Sequence, residues 1–132
     1  MGLSFEEKLR TYAKIIVSHG LNIQKGQDLY VYGEIVHRNL AMTVAEEAYK
    51  KGARYVGVSL SDPRLERIRI LHSSAEYLDF SPGYTEAMVK EMVDSNCAKL
   101  SIDGMEDPEI FTGLDPKTIS SIRQARHKKW KY

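Results

Sequence analysis

The sequence predicts an α/β fold: a small, mostly parallel sheet of about three strands, flanked by helices in three layers with Rossmann-like βαβ connectivity. Three short, largely apolar segments bounded by turn residues have the length of strands, namely 29–32, 55–60 and 97–102. Apolar residues at helical spacing fill the intervals between them. Strands that alternate with helices in this way form parallel sheets, and their crossovers are almost always right-handed.

The first segment predicts a helix that precedes the sheet. Ser4 can cap its N-terminus, and Glu7, three residues later, completes a capping-box pattern. Apolar residues continue from Leu9 to Val17 at helical spacing, which gives the helix one apolar face. We expect Gly20 to end this helix, because glycine readily adopts the left-handed conformation found just beyond helix C-termini.

A βαβ unit comes next along the chain. Gly33 is expected to end strand 29–32, and a helix then runs to Lys51, where Gly52 is its C-terminal cap. The next strand, 55–60, is apolar along nearly its whole length. Such strands are typical of sheets covered on both faces, so we expect this strand to be buried on both sides.

The second half of the chain predicts further helices around the third strand. In each Asp-Pro pair the aspartate can cap a helix and the proline fits its first turn. One helix starts at Asp62-Pro63, with Leu65, Ile68 and Leu71 on one side, and Ser81-Pro82-Gly83 interrupts it. Another helix covers 85–96. A short helical turn starts at Asp107-Pro108, and the last helix starts at Asp115-Pro116.

The composition predicts one folded domain that covers residues 1–132. An apolar fraction of 42% and a net charge of +1 exclude a disordered chain. The single cysteine, Cys97, excludes a disulfide scaffold, and with no signal peptide it predicts a cytoplasmic location. No apolar run approaches the roughly 20 residues of a membrane-spanning helix, so no membrane partner is expected.

The charge distribution argues against nucleic acid as a partner for the chain as a whole, because 19 basic residues face 18 acidic ones. The excess is local, since residues 121–132 carry five basic side chains and no acidic one. One hypothesis is that this tail, with Trp130 and Tyr132, stacks on single-stranded nucleic acid. A packing role or a linker role explains the tail better.

Three polar residues lie where ligands bind in open α/β sheets, at the carboxyl end of the first strand. Glu34, His37 and Arg38 are therefore the candidate binding residues. The alternative is a solvated loop and helix start without a ligand. The sequence assigns no catalytic residue and no metal ligand, since it contains neither a His-Glu-x-x-His motif nor paired CxxC motifs.

The last helix has a clear start and no recognisable stop. Ile119, Ile122 and Trp130 form a face that must pack against something, and they are the candidate inter-domain interface. One interpretation is a terminal helix docked on its own domain. The other is a helix that leads into a second domain.

Four stretches in order along nearly the whole chain form a familiar pattern. The first runs from Tyr12 to Gln27, with Gly20-Leu21-Asn22-Ile23-Gln24-Lys25-Gly26-Gln27 at its end. The others are Ala45 to Val56 followed by Ser61-Asp62, Ser101 to Glu109, and Leu114-Asp115-Pro116-Lys117 leading to Ser121 to Arg126. Together these stretches resemble the aminopeptidase T/aminopeptidase S (PepS-type) metallopeptidase family.

The resemblance implies the N-terminal domain of a cytosolic enzyme that removes N-terminal residues from peptides. It implies two divalent metals, cobalt or zinc, held in a larger C-terminal catalytic domain, so no metal ligand is carried onto this chain. The expected partners are that domain, a peptide substrate and a second copy in a homodimer. The domain would wall the active-site cavity and be inactive alone. The alternative is a stand-alone, non-catalytic module that binds a small ligand or a protein.

Overall fold

The computed structural model describes residues 2–129, with the side chain of Lys129 left out. The described residues fall into two compact units. Unit 1 lies within Met1–Ser61 and Ser95–Glu106, and unit 2 lies within Asp62–Asp94 and Asp107–Tyr132. In the described part of the chain, no helix is both long and apolar enough to cross a membrane.

Unit 1 contains a three-stranded sheet in which every pairing is parallel. Its strands are β1 (Asp28–Glu34), β2 (Tyr55–Ser61) and β3 (Ala98–Ser101), in the spatial order β2-β1-β3. The central strand β1 pairs along its length with β2 and over four residues with β3. The predicted α/β class and its small parallel sheet are confirmed.

Two helices of unit 1 pack with the sheet. Helix α1 (Phe5–Ile15) begins at the predicted capping box, in which Ser4 Oγ accepts from the Glu7 amide and the Glu7 carboxylate accepts from the Ser4 amide. Helix α2 (Arg38–Lys51) comes after a single 3-10 turn, Ile35–His37, and ends at Gly52 with φ 107°. That left-handed conformation explains the predicted glycine cap.

The core of unit 1 is aliphatic, because the apolar faces of α1 and α2 meet the inward residues of β1 and β2. The buried side chains are Ala13, Val17, Ile23, Leu29, Val31, Ala41, Val44, Ala48 and Val56. Burial of this apolar surface is the main stabilising contribution to the unit.

Unit 2 consists of three helices and the segments that join them. They are α3 (Pro63–His72), α4 (Gly83–Asp94) and α5 (Pro116–Lys129), with a 3-10 turn at Ala75–Tyr77. The predicted caps form, since the Asp62 carboxylate accepts from the Arg64 amide and Asp115 Oδ1 accepts from the Lys117 amide. Its buried apolar side chains in the described residues are Val89, Met92 and Ile122.

One boundary prediction was wrong, since Gly33 lies inside β1, whose last residue is Glu34. The first helical segment ends at Gly20 as predicted, but through a π turn, Ile16–Gly20, and Asn22 rather than Gly20 takes a positive φ of 49°. Asp107-Pro108 starts short hydrogen-bonded turns, as predicted.

The prediction that β2 is buried on both faces was also wrong. Only Val56 and Gly57 are buried in this strand, whereas Tyr55 is 63% exposed and Val58 is 41% exposed. The reason is topological, because β2 lies at the edge of the sheet beside β1. An apolar composition alone does not distinguish an edge strand from a central one.

Candidate functional site

The candidate site lies where β1 ends and the chain turns into α2. Glu34 is the last residue of β1, His37 ends the 3-10 turn, and Arg38 begins α2. Glu34 is paired in register with Ser61, the last residue of β2. The carboxyl ends of two strands therefore meet here, which is the edge where open parallel sheets bind ligands.

Glu34 and His37 hold each other in a reciprocal pair. The Glu34 amide donates to His37 Nδ1 at 3.0 Å, and the Glu34 carboxylate accepts from the His37 amide. This is the capping-box geometry, here with a histidine at the position usually taken by Glu or Gln. Because Nδ1 accepts a hydrogen bond, it carries no proton in this arrangement.

The Glu34 carboxylate also fixes a loop from a distant part of the sequence. Its Oε1 accepts from the Glu106 amide at 3.0 Å, and that amide lies beyond the end of β3. The His37 ring lies close to two glycines. A Cβ atom on Gly33 would stand 3.1 Å from Nδ1, and one on Gly104 would stand 3.5 Å from Nε2.

The geometry gives these candidate residues a clear structural role. Glu34 and His37 are half-buried and use their polar atoms on backbone partners, whereas Arg38 is exposed. The structure thus brings Glu34 and His37 together and leaves Arg38 facing solvent. Sequence reasoning missed Glu106 and Gly104, because their proximity depends on the pairing of β1 with β3.

Two tyrosines occupy one face of β1 beside the site. The ring centroids of Tyr30 and Tyr32 are 4.7 Å apart with planes inclined at 43°. Burial, assisted by Tyr30 and Cys97, raises the pKa of Tyr32 to about 12, so its phenol is neutral at physiological pH. Burial likewise raises the pKa of the half-buried Cys97 thiol, which disfavours the reactive thiolate.

The residues that the structure describes do not fit a metal ion. Over 2–129 they contain no group of three or more His, Cys, Asp or Glu side chains placed to hold one. Two residues of the acidic stretch are used locally, since Asp107 Oδ1 accepts from the Glu109 amide and Asp115 Oδ1 accepts from the Lys117 amide.

The candidate interface residues lie in unit 2, on α5. Ile122 is only 4% exposed, so it already packs within its own unit. Ile119 is half-buried and lines a small cleft with Ile70 and Phe111, beside the Arg126–Glu66 ion pair at 3.4 Å. The third predicted residue, Trp130, lies outside the described residues.

Unit 2 also exposes a set of large apolar side chains that the sequence analysis did not assign to a site. On α3, the predicted apolar side of the helix is half or more exposed. The exposed set, with exposed fractions between 49% and 75%, is Leu65, Ile68, Leu71, Tyr77, Phe80, Tyr84 and Val93. Exposed apolar surface of this kind is typical of protein contacts.

These features define an α/β fold with a parallel sheet. The polar side chains at the end of β1 are hydrogen-bonded to backbone groups, and the described residues contain no metal-binding cluster. The chain belongs to the thermophilic metalloprotease (M29) family, whose sequence profile matches residues 5–132. The predicted resemblance to the aminopeptidase T and S enzymes is thereby confirmed.

Named relatives are aminopeptidases. The chain is 30% identical to aminopeptidase PepS of Streptococcus thermophilus over 122 residues, which are 92% of this chain and 29% of that protein. It is 27% identical to aminopeptidase T of Thermus thermophilus over 128 residues, 97% of this chain and 31% of that protein. A solved structure of wild-type AmpT from Thermus thermophilus matches with a TM-score of 0.88 at 27% identity, covering 97% of this chain and 32% of that one. The chain thus spans about 30% of the length of these relatives.

Proposed function

We propose that residues 1–132 form the N-terminal domain of a metal-dependent aminopeptidase that removes N-terminal residues from peptides. The observation that carries the proposal is the match to an aminopeptidase over 97% of this chain, in sequence and in fold. In this role the domain walls the active-site cavity, helps to select the peptides that enter, and hydrolyses nothing by itself.

The proposal includes metal ions that are bound outside the described residues of this chain. Two divalent ions, cobalt or zinc, would be bound by a C-terminal catalytic domain of the same polypeptide, where they would activate water for peptide hydrolysis. A cytoplasmic location and a homodimeric assembly are further parts of the proposal. The family description supports metal dependence without naming the metal.

The proposed contact with a catalytic domain uses unit 2. Ile119 and Trp130 are the interface residues of the proposal, and Ile122 supports them from within the unit, where it is buried. The exposed apolar side of α3, with Leu65 and Ile68, adds surface of the kind that contacts between domains bury. Covering these side chains would stabilise the enzyme by removing apolar area from water.

The first test is an activity assay on two samples. One is the purified chain, and the other is the product of the reading frame from Met1 through any codons that come after Tyr132. Both are incubated with Co²⁺ or Zn²⁺ and leucine p-nitroanilide. We expect no metal-dependent release from the chain and clear release from a longer product.

The outcomes separate the parts of the proposal. Metal-dependent hydrolysis by the purified chain would contradict its inactivity alone. A stop codon immediately after Tyr132 would contradict a catalytic domain in the same polypeptide. An inactive longer product with bound metal would contradict the aminopeptidase activity itself.

A second candidate function is a stand-alone, non-catalytic binding module. The exposed apolar residues of unit 2 favour a protein partner over a small ligand, because Glu34 and His37 already use their polar atoms on backbone groups. Substitution Leu65→Asp together with Ile68→Asp should abolish capture of such a partner without unfolding the chain. For this candidate, the reading frame must stop after Tyr132.

A further inference from the structure

The reciprocal pair at the end of β1 includes a histidine ring nitrogen as a hydrogen-bond acceptor. His37 Nδ1 accepts from the Glu34 amide at 3.0 Å, and this bond requires an unprotonated nitrogen. Histidine is the side chain that ordinarily changes its charge between about pH 5 and pH 8. Protonation of Nδ1 would place one N–H against another, so the ring could not keep its position.

The surroundings of the His37 ring connect its position to a loop. Gly33 and Gly104 lie against its two nitrogens, so the ring fills the space between the end of β1 and the loop after β3. The Glu34 carboxylate, which is held by the His37 amide, accepts from the Glu106 amide in that same loop. Displacement of the ring therefore weakens the attachment of the loop that contains residues 102–106.

Charged residues occur on each of the three elements that meet at the ring. Glu34 ends β1, Asp103 and Glu106 belong to the loop after β3, and Arg38 begins α2. Strand β2 carries no charged side chain over Tyr55–Ser61. The Glu34 carboxylate, which already accepts from the His37 amide, is the acidic group that the structure places in this pair.

We propose that His37 is a pH-sensitive latch: unprotonated, it holds the loop at residues 102–106 against the carboxyl end of β1, and protonated, it releases that loop. The latch is independent of the proposed peptidase function, because every contact in it lies within unit 1. It is a device of the fold at the carboxyl edge of the sheet, and its two states differ in the protonation of His37.

The test uses the ¹⁵N-labelled 132-residue chain, monitored by NMR from pH 8 to pH 5. The ring nitrogens of His37 report its tautomer, and amide exchange, corrected for intrinsic rates, reports the loop. At pH 8 we expect the proton on Nε2. Between pH 8 and pH 5 we expect protection of the Glu34 and Glu106 amides to fall about threefold to tenfold, which corresponds to the net loss of one hydrogen bond.

The matched variants are His37→Gln and His72→Gln. A glutamine three residues after the cap can accept from the Glu34 amide without titrating, so His37→Gln should keep the loop protected at pH 5. His72 is exposed on α3, and its replacement should leave the pH dependence unchanged. The same loss of protection in His37→Gln as in the wild type would overturn the latch. A neutral ring that carries its proton on Nδ1 at pH 8 would also overturn it. This second measurement needs only the wild-type chain, so it stands even if the variant does not fold.

Discussion

Unit 1 and unit 2 differ in what holds them together. In unit 1, nine aliphatic side chains from two helices, two strands and the segment between α1 and β1 are at most 9% exposed. In unit 2, the buried apolar side chains in the described residues are only Val89, Met92 and Ile122, although both units expose large apolar side chains. Unit 1 is therefore organised by its core, whereas unit 2 depends more on polar contacts.

Two arginines of α3 show how the polar contacts of unit 2 work. Arg67 Nη1 donates to the carbonyl oxygens of Ile110 and Thr112, at 2.7 and 3.1 Å. Arg69 Nη2 donates to three carbonyl oxygens of the segment after α3, those of Tyr77, Leu78 and Phe80. One terminal guanidinium nitrogen, with two N–H groups, is thus shared among three carbonyl oxygens of a turn that has little apolar packing of its own.

The largest predicted effect comes from opening a cavity in the core of unit 1. Leu29 is 1% exposed, so Leu29→Ala should lower the free energy of unfolding by about 2–5 kcal/mol. Leu65 is 66% exposed on α3, so Leu65→Ala should change the free energy of unfolding by no more than about 0.5 kcal/mol. Urea unfolding monitored by circular dichroism measures both. Similar losses in the two variants would mean that Leu65 is covered in solution rather than exposed.

A close backbone approach within the sheet gives the next effect. A Cβ atom on Gly57 would lie 2.6 Å from Cε2 of Tyr30, which is too close for any side chain. Gly57→Ala should therefore destabilise the chain by about 1–3 kcal/mol, because the Tyr30 ring must move. The control is Gly20→Ala, since a Cβ there meets nothing within 4 Å and the backbone φ is not positive.

The same unfolding measurement tests this pair. Gly20→Ala should be neutral or stabilise the chain by up to about 1 kcal/mol, because it reduces the freedom of the unfolded chain. A neutral Gly57→Ala would mean that the Tyr30 ring has room to rotate away. In that case the packing of the tyrosine face would be looser than that of the aliphatic core.

The third effect should be confined to unit 2. Arg69→Met removes the donor to three carbonyl oxygens, and Arg69→Lys keeps the charge without the planar set of donors. Both should reduce stability by about 1–2 kcal/mol, with faster amide exchange in and around residues 77–80. The amides of β1 serve as the internal control. Equal loosening of β1 would contradict a local role for Arg69.

The sequence was sufficient where a local rule decides the structure. The Ser4–Glu7 capping box, the left-handed Gly52 and the caps at Asp62 and Asp115 form as predicted, because each needs only residues a few positions apart. The βαβ order was predictable from periodicity, and the family was predictable from four matching stretches. These features include the order of strands and helices in unit 1 and two of the helix starts in unit 2.

The sequence was insufficient where a contact depends on the topology of the sheet. The composition of β2 suggested burial on both faces, but its place at the edge exposes Tyr55. Glu34 and His37 were correctly placed at the end of β1. Their reciprocal hydrogen bonds, and the bond from the Glu106 amide 72 residues away, require the pairing of β1 with β3.

The smallest predicted effect is an acid-dependent one at the start of β1. Arg54 donates to both carboxylate oxygens of Asp28, at 2.8 and 2.6 Å. This hydrogen bonding holds the pKa of Asp28 below its ordinary value. The pair therefore stabilises the folded chain above the ordinary aspartate pKa, and the contribution is lost as the pH falls through the lower pKa of the folded state.

Its size should be about 0.2–1 kcal/mol, because the Arg54 side chain is 65% exposed and solvent screens the pair. Urea unfolding from pH 6 to pH 2.5 should show wild type more stable than Asp28→Asn at pH 6, with the difference vanishing at the acid end. In unit 2, Asp94→Asn disrupts a pair that is more than 60% exposed on both sides and should have no measurable effect. A larger loss from Asp94→Asn than from Asp28→Asn would mean that unit 2 relies on its surface charges even more than its arginine contacts indicate.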